Sequence, residues 1–89
     1  MERQDVVERI KQAVPEAAEI LVEGADCDFT AVVLSENFAG VSQVKRQQQV
    51  LAKFGDVLAS GELHALSVKA HTPDEWQAKQ AQSLTQLSL

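Results

Sequence analysis

The chain has little cysteine and little positive charge, and each shortage excludes a class of protein. Cys27 is its single cysteine, so the chain can form neither an internal disulfide nor a zinc site of paired cysteines. Eight basic residues stand against 13 acidic ones, for a formal charge of -5. This balance argues against broad, phosphate-driven binding to nucleic acid, although a local basic patch can still exist.

The chain also lacks a long hydrophobic run. Runs such as Ala31–Leu34 span only a few residues, far fewer than the roughly 20 that cross a membrane. Met1–Asp5 has no apolar core of a signal peptide. We therefore expect a cytoplasmic protein that does not associate with membranes.

What is present fits one small globular domain. Of the 89 residues, 45% are hydrophobic and 24% charged, which are ordinary values for a folded chain with room for a single core. After Trp76 the sequence becomes rich in glutamine and only weakly periodic. We expect one domain over residues 1–80 and a frayed tail over residues 81–89.

Hydrophobic spacing in the first half predicts a helix followed by a hairpin. Apolar residues recur at helical spacing from Arg3 to Val14, and Pro15 ends the pattern. Two β-prone runs, Ala18–Val22 and Phe29–Leu34, flank a polar loop and predict paired strands. Phe38 in the connector that follows is expected to anchor that connector to the core.

A long amphipathic helix is predicted from Ser42 to Leu58, with Ser42 as its cap and Gly61 as its stop. Gly55 inside it should weaken it by roughly 1 kcal/mol relative to alanine. Its inward face is predicted to carry Val44, Val50, Leu51, Phe54, Val57 and Leu58. Its solvated side is predicted to carry Lys45, Arg46 and Lys53.

A third strand is predicted over Leu63–Ala70, and it leads into a last helix. Thr72, Pro73 and Glu75 form a capping box at the start of that helix, and Trp76 is expected to anchor it to the core. The order is α-β-β-α-β-α, with a long helix between the second and third strands. This order predicts an α+β domain with a three-stranded mixed sheet, one parallel pair and helices over one face.

Few side chains can carry chemistry, and each has a plainer alternative. His64 at the third strand's start can take a proton or a metal, or be half-buried and hydrogen-bonded to backbone groups. Cys27 can be a ligand, a reactive thiol or simply a small loop residue. His71 is expected to be solvated or to stack. We expect no enzyme, because the chain lacks a nucleophile elbow and a phosphate-cradling glycine loop.

Several segments between the first strand and Trp76 form one pattern: Phe29, Val33–Ser35, Phe38–Gly40, Ser42, Val44–Val50, Leu63–Ser67 and Thr72–Trp76. Together these segments resemble the BolA-like family. Lys45–Gln49 departs from the Arg-His-Arg segment of many members and is more similar to the small bacterial branch linked to acid stress and iron handling. The fold implied by the resemblance is similar to type II KH domains.

The resemblance implies a non-enzymatic adaptor in iron-sulfur cluster trafficking, which forms a heterodimer with a monothiol glutaredoxin and shares a [2Fe-2S] cluster with it. The family's strand histidine matches His64, and its loop ligand, a histidine or a cysteine, matches Cys27. Such a cluster needs four ligands, and histidine can replace cysteine on one iron. A glutaredoxin cysteine and a glutathione thiol would complete the four.

The resemblance also implies an alternative, a DNA-binding transcriptional regulator of the stress response. Lys45, Arg46 and Lys53 would then contact DNA. The acidic balance favours the adaptor, and the missing Gly-x-x-Gly motif argues against binding of single-stranded RNA. Whether the free protein forms a homodimer is left open.

Overall fold

The computed structural model describes residues 1–25 and 28–87. A 3-10 turn over Glu36–Phe38 follows the second strand. The other elements within these ranges are α1 (Arg3–Ala13), β1 (Glu19–Ala25), β2 (Asp28–Leu34), α2 (Gln43–Leu51), α3 (Gly55–Ser60), β3 (Ala65–His71) and α4 (Pro73–Leu87).

The strands form one mixed sheet in the order β1-β2-β3. β1 and β2 are antiparallel, with Glu19 opposite Leu34. β2 and β3 are parallel, with Asp28 opposite Ala65, and the chain between them crosses through α2 and α3. The predicted α+β class, the three-stranded mixed sheet and its parallel pair are therefore confirmed for the described residues.

The core lies on one face of this sheet. Phe29 and Val33 of β2 alternate with more exposed neighbours and pack with Ile10 of α1 and Val50 of α2. Phe38 is 1% exposed, which confirms that it anchors the connector. The opposite face is called the open face here. It includes Glu19, Leu21, Glu23, Asp28, Thr30, Val32, Ala65, Ser67 and Lys69, all exposed or half-buried.

The prediction of one continuous helix over Ser42–Leu58 is wrong. Residues 52–54 separate α2 from α3, and Phe54 has a non-helical φ of -119° and ψ of 5°. The break lets Phe54, which is fully buried, and Val57 both reach the core. Helical spacing alone could not reveal it, because the apolar pattern continues across the break.

The break also changes which side chains point inward. Val44 is 63% and Leu58 38% exposed, so their assignment to the inward face is wrong. α2 instead turns Arg46 and Val50 inward, one helical turn apart. Placing Arg46 on the solvated side is wrong for the same reason: only 4% of its surface is exposed.

The other boundaries differ by a few residues. Ser42 caps α2, because its Oγ accepts a hydrogen bond from the Lys45 backbone N–H at 3.3 Å. β3 begins two residues later than predicted and ends at His71. α4 continues to Leu87, while the domain boundary at residue 80 and the frayed tail stay predictions. Among the described helices, none has both the length and the apolar character to cross a membrane.

Candidate metal-ligand site

His64 lies in an exposed position immediately before β3. The chain leaves α3 through Gly61, whose φ of 86° is the left-handed conformation that glycine adopts readily. Leu63 then anchors the turn: its side chain is 1% exposed and its N–H donates to the Val57 carbonyl at 3.1 Å. With Leu63 fixed in the core on one side and Ala65 paired to Asp28 on the other, His64 is held at the edge of the sheet.

The His64 imidazole makes no hydrogen bond or ion pair with any residue that the structure describes. His64 is thus exposed and not half-buried, and no backbone group of the described residues bonds to its ring. An exposed imidazole can offer a ring nitrogen to a metal. The position of His64 therefore suits binding of a metal from outside the chain.

Cys27 lies outside the described residues. In the sequence it directly precedes Asp28, the first residue of β2. Within the described ranges, no group of three or more histidine, cysteine, aspartate or glutamate side chains is arranged to hold a metal ion. The described part of the chain therefore does not by itself provide a complete metal site.

A shallow depression of about 340 Å³ adjoins His64 on the open face. Its floor is formed by the ends of the strands nearest His64. It is lined by Glu23, Gly24, Asp28, Phe29, Thr30, Ala65 and Ser67. Two of these side chains are carboxylates and two are hydroxyls, so the depression is polar and can accept hydrogen bonds.

His71 lies at the opposite end of β3 from His64, and of the two expected roles, solvated or stacking, the structure shows a tilted ring contact. Its ring centroid is 5.7 Å from that of Trp76, with 32° between the planes. Burial lowers the pKa of His71 from its usual 6.5, and Lys79 adds to the effect, while Glu75 at 3.8 Å opposes it. Trp76 is half-buried against this ring and is not among the residues of the core cluster or those packed against it. The prediction that it anchors the last helix to the core is therefore wrong.

Arg46 forms a buried network that sequence reasoning missed. Its guanidinium donates to both carboxylate oxygens of Glu75, at 2.7 and 3.2 Å, and to the carbonyls of Val41 and Ala70, at 2.8 and 3.1 Å. This bond to Arg46 is the main cause that lowers the pKa of Glu75 to about 2. The network ties α2, the end of β3 and the start of α4 together.

One sequence signal could have indicated this network. Arg46 precedes the inward-facing Val50 by four residues, which places both on one face of α2. Because its guanidinium is bonded internally, Arg46 is not available to contact DNA, and its place in the predicted basic surface is wrong. Lys45 and Lys53 are exposed, so the predicted basic surface is reduced to these two residues.

The fold and the site define a small α+β domain that has its helices on one face of a mixed sheet and presents one exposed histidine at the sheet edge. The family model for BolA-like protein matches residues 6–75. The match covers most of the 89 residues, so the chain belongs to the BolA-like family.

Two proteins of similar sequence and one of similar structure support the same assignment. The acid stress protein IbaG of Escherichia coli (strain K12) is 40% identical over 58 residues, covering 65% of this chain and 69% of IbaG. The DNA-binding transcriptional regulator BolA of Vibrio cholerae is 32% identical over 90 residues, covering 90% of this chain and 84% of that protein. A solved bolA protein homologue from Coxiella burnetii superposes with a TM-score of 0.73 at 34% identity, covering 86% of this chain and 97% of that one.

Proposed function

We propose that this protein is a non-enzymatic cytoplasmic adaptor in iron-sulfur cluster trafficking, which shares a [2Fe-2S] cluster with a monothiol glutaredoxin. The observation that carries the proposal is His64. The imidazole is exposed at the sheet edge, without a partner among the described residues, and it belongs to the segment that resembles the family's ligand histidine.

The ligands that this chain can offer fit a cluster shared with a second protein and do not fit a cluster held by this chain alone. A [2Fe-2S] cluster takes four ligands, usually thiolates, and histidine can replace cysteine. The chain has one cysteine, and its described part holds no complete metal-binding group. Two ligands must therefore come from outside, for which a glutaredoxin cysteine and a glutathione thiol are suited. The cluster would supply iron and sulfide for transfer, and this chain would supply His64 and Cys27 as ligands.

The strand register supports Cys27 as the second ligand. Asp28 is paired with Ala65. Cys27 directly precedes Asp28 in the sequence, just as His64 directly precedes Ala65. Both predicted ligands are thus covalent neighbours of one paired position, which favours a common site.

Reconstitution of the complex tests this function. The protein, a monothiol glutaredoxin, glutathione, iron and sulfide are mixed without oxygen, and visible absorption and circular dichroism are recorded. We expect His64→Ala to abolish the spectrum of the mixed complex and Cys27→Ser to weaken it. His71→Gln is the matched control, because His71 lies at the far end of β3, and it should retain the spectrum.

Two outcomes would count against these ligands. A His64→Ala complex with the wild-type spectrum would show that His64 is not a ligand. An unchanged spectrum for Cys27→Ser would remove Cys27 and leave the second ligand to be found elsewhere.

A DNA-binding transcriptional regulator is the second candidate, favoured by the name of the Vibrio cholerae relative. In this chain the proposal rests on the exposed Lys45 and Lys53. Binding to labelled promoter DNA should fall steeply with salt and weaken in Lys45→Glu/Lys53→Glu more than in the control Lys11→Glu/Lys69→Glu. Absence of a retarded band at low salt would rule out this function.

A further inference from the structure

A single carboxylate oxygen lies at the centre of the junction between β3 and α4. Glu75 Oε1 accepts hydrogen bonds from the Arg46 guanidinium at 2.7 Å and from the Thr72 N–H at 3.0 Å. His71 Nδ1 lies 3.8 Å from the same oxygen, too far for a hydrogen bond. Because a carboxylate oxygen has about two acceptor directions, Arg46 and Thr72 fill them, and the imidazole lies beside this oxygen without a bond to it.

The surroundings of His71 carry more positive than negative charge. Its side chain is 15% exposed and contacts the Trp76 ring. One carboxylate and three cations, from α4, α2 and β3, act on its titration: Glu75, Lys79, Arg46 and Lys69. Three other described carboxylates on neighbouring elements are exposed and form no ion pair with the imidazole: Glu19, Glu36 and Asp74. Of these groups, Glu75 is the one placed to neutralise an imidazolium, and it is already paired with Arg46.

The position of His71 before α4 adds to this imbalance. Thr72 caps the helix, since its Oγ1 accepts a hydrogen bond from the Glu75 N–H at 3.2 Å, and α4 begins at Pro73. His71 therefore lies beside the positive end of the dipole of a 15-residue helix, where an added positive charge is unfavourable. Burial, followed by Lys79, lowers the pKa of His71 below its ordinary 6.5, so the intact junction favours the neutral imidazole.

We infer that the β3–α4 junction is an acid-sensitive switch, in which protonation of His71 separates the first turn of α4, with Trp76, from the end of β3. An imidazolium needs a negative partner or water. To bond to Glu75 Oε1 it must displace Arg46 or the Thr72 N–H, which breaks the ion pair or weakens the helix start. To reach water it must leave the Trp76 ring. Both routes remove contacts that hold α4, and neither depends on the proposed function.

The direction of the pH effect follows from proton uptake. In the closed junction the pKa of His71 is below the ordinary 6.5, so opening takes up a proton once the pH falls below 6.5. Glu75, with a pKa of about 2, stays ionised over this range, and its own titration does not contribute. The opening equilibrium should therefore rise by up to about tenfold for each pH unit between 6.5 and the lowered pKa of His71.

Trp76 is the single tryptophan of the chain, so its fluorescence reports on this junction directly. Its emission maximum and its quenching by acrylamide are recorded on the full chain from about pH 8 to about pH 5. Amide hydrogen exchange of α4 is measured over the same range and corrected for the intrinsic pH dependence of exchange. Below pH 6.5 we expect emission at longer wavelength, stronger quenching and lower protection of α4, while β1 and β2 stay protected.

Three variants isolate the histidine. His71→Gln and His71→Phe cannot be protonated, and His71→Phe keeps a ring against Trp76, so both should hold α4 closed over the whole range. His64→Gln removes the other histidine, at the opposite end of β3, and should respond to acid as the wild type does.

Three results would overturn the switch. The first is an acid response that survives in both His71 variants. The second is a wild-type chain whose α4 protection and Trp76 quenching do not change down to about pH 5. The third is loss of protection in β1 and β2 together with α4, because acid would then unfold the whole domain and not open the junction.

Discussion

At the scale of single residues, Arg46 departs furthest from what its sequence pattern predicts. Amphipathic patterning assigns every arginine to solvent, yet this guanidinium is buried beside the Phe38 ring, 5.7 Å from its centroid. Burial is tolerated because the charge is paired with Glu75 and further N–H groups reach backbone carbonyls. Lysine, with one point-like ammonium group, cannot reproduce this set of bonds.

Replacing Arg46 should therefore destabilise the fold. Arg46→Met leaves the carbonyls of Val41 and Ala70 without their donors and removes the ion pair, so the free energy of unfolding should fall by about 2 to 3 kcal/mol. Urea denaturation measures the change. Lys45→Met, its exposed neighbour, should change stability by no more than about 0.5 kcal/mol. Equal effects of the two substitutions would contradict the network.

The same network predicts how stability depends on acid. The pKa of Glu75 is about 2 in the folded protein, below its ordinary 4.5, so the folded state favours the ionised carboxylate. The stabilisation that the ionised Glu75 contributes is complete above pH 4.5 and is lost as the pH falls through about 2. Glu75→Gln should flatten the pH dependence of urea unfolding in this window. Asp74→Asn, which leaves the Arg46–Glu75 pair intact, should keep the wild-type slope.

At the scale of elements, the sequence predicts where a helix begins better than where a helix is broken. The capping box of α4 is formed: the Glu75 N–H donates to the Thr72 Oγ1 at 3.2 Å, and the Thr72 N–H donates to the Glu75 carboxylate at 3.0 Å. The break between α2 and α3 has no such local signal. Ala52 and Lys53 favour helix, and the break arises from tertiary contacts, including the bond from Arg9 to the Lys53 carbonyl at 2.8 Å.

Gly55 provides a test of this account of the break. It begins α3 with helical geometry, and nothing lies within 4 Å of a Cβ built there. Gly55→Ala should raise the free energy of unfolding by about 0.5 to 1 kcal/mol. Gly61→Ala, equally uncrowded but at a φ of +86°, should lower it by about 1 kcal/mol. Thermal or urea denaturation measures both changes in stability. A destabilising Gly55→Ala would contradict the assigned geometry.

At the scale of the whole molecule, chain order predicts most of the fold. The long helical segment between the second and third strands predicts a crossover and a parallel pair in the sheet, and β2 and β3 form that pair. The candidate site is predicted less completely, because exposure and pairing are tertiary properties. The position of His64 and the family resemblance both indicate it from the sequence, but only the fold shows that its ring has no hydrogen-bond or ion-pair partner among the described residues. The commitment of Arg46 to the interior is equally a property of packing.

The whole molecule thus presents an exposed histidine beside an acidic depression. The helices bury one sheet face, and the other face meets solvent next to His64. Nothing in this arrangement requires the chain to act alone. A histidine ligand binds iron only when its ring nitrogen is unprotonated, so a cluster held partly by histidine should be released more readily in acid than one held by thiolates alone.

The most direct test of the central claim is pulsed electron paramagnetic resonance of the reduced [2Fe-2S] complex with the glutaredoxin. The account predicts a strong coupling from a directly bound imidazole nitrogen. The coupling should change to the ¹⁵N pattern when only this chain is labelled with ¹⁵N-histidine, persist in His71→Gln and disappear in His64→Ala. A reduced cluster without this coupling in the wild type, or with the same coupling in His64→Ala, would contradict His64 as the ligand.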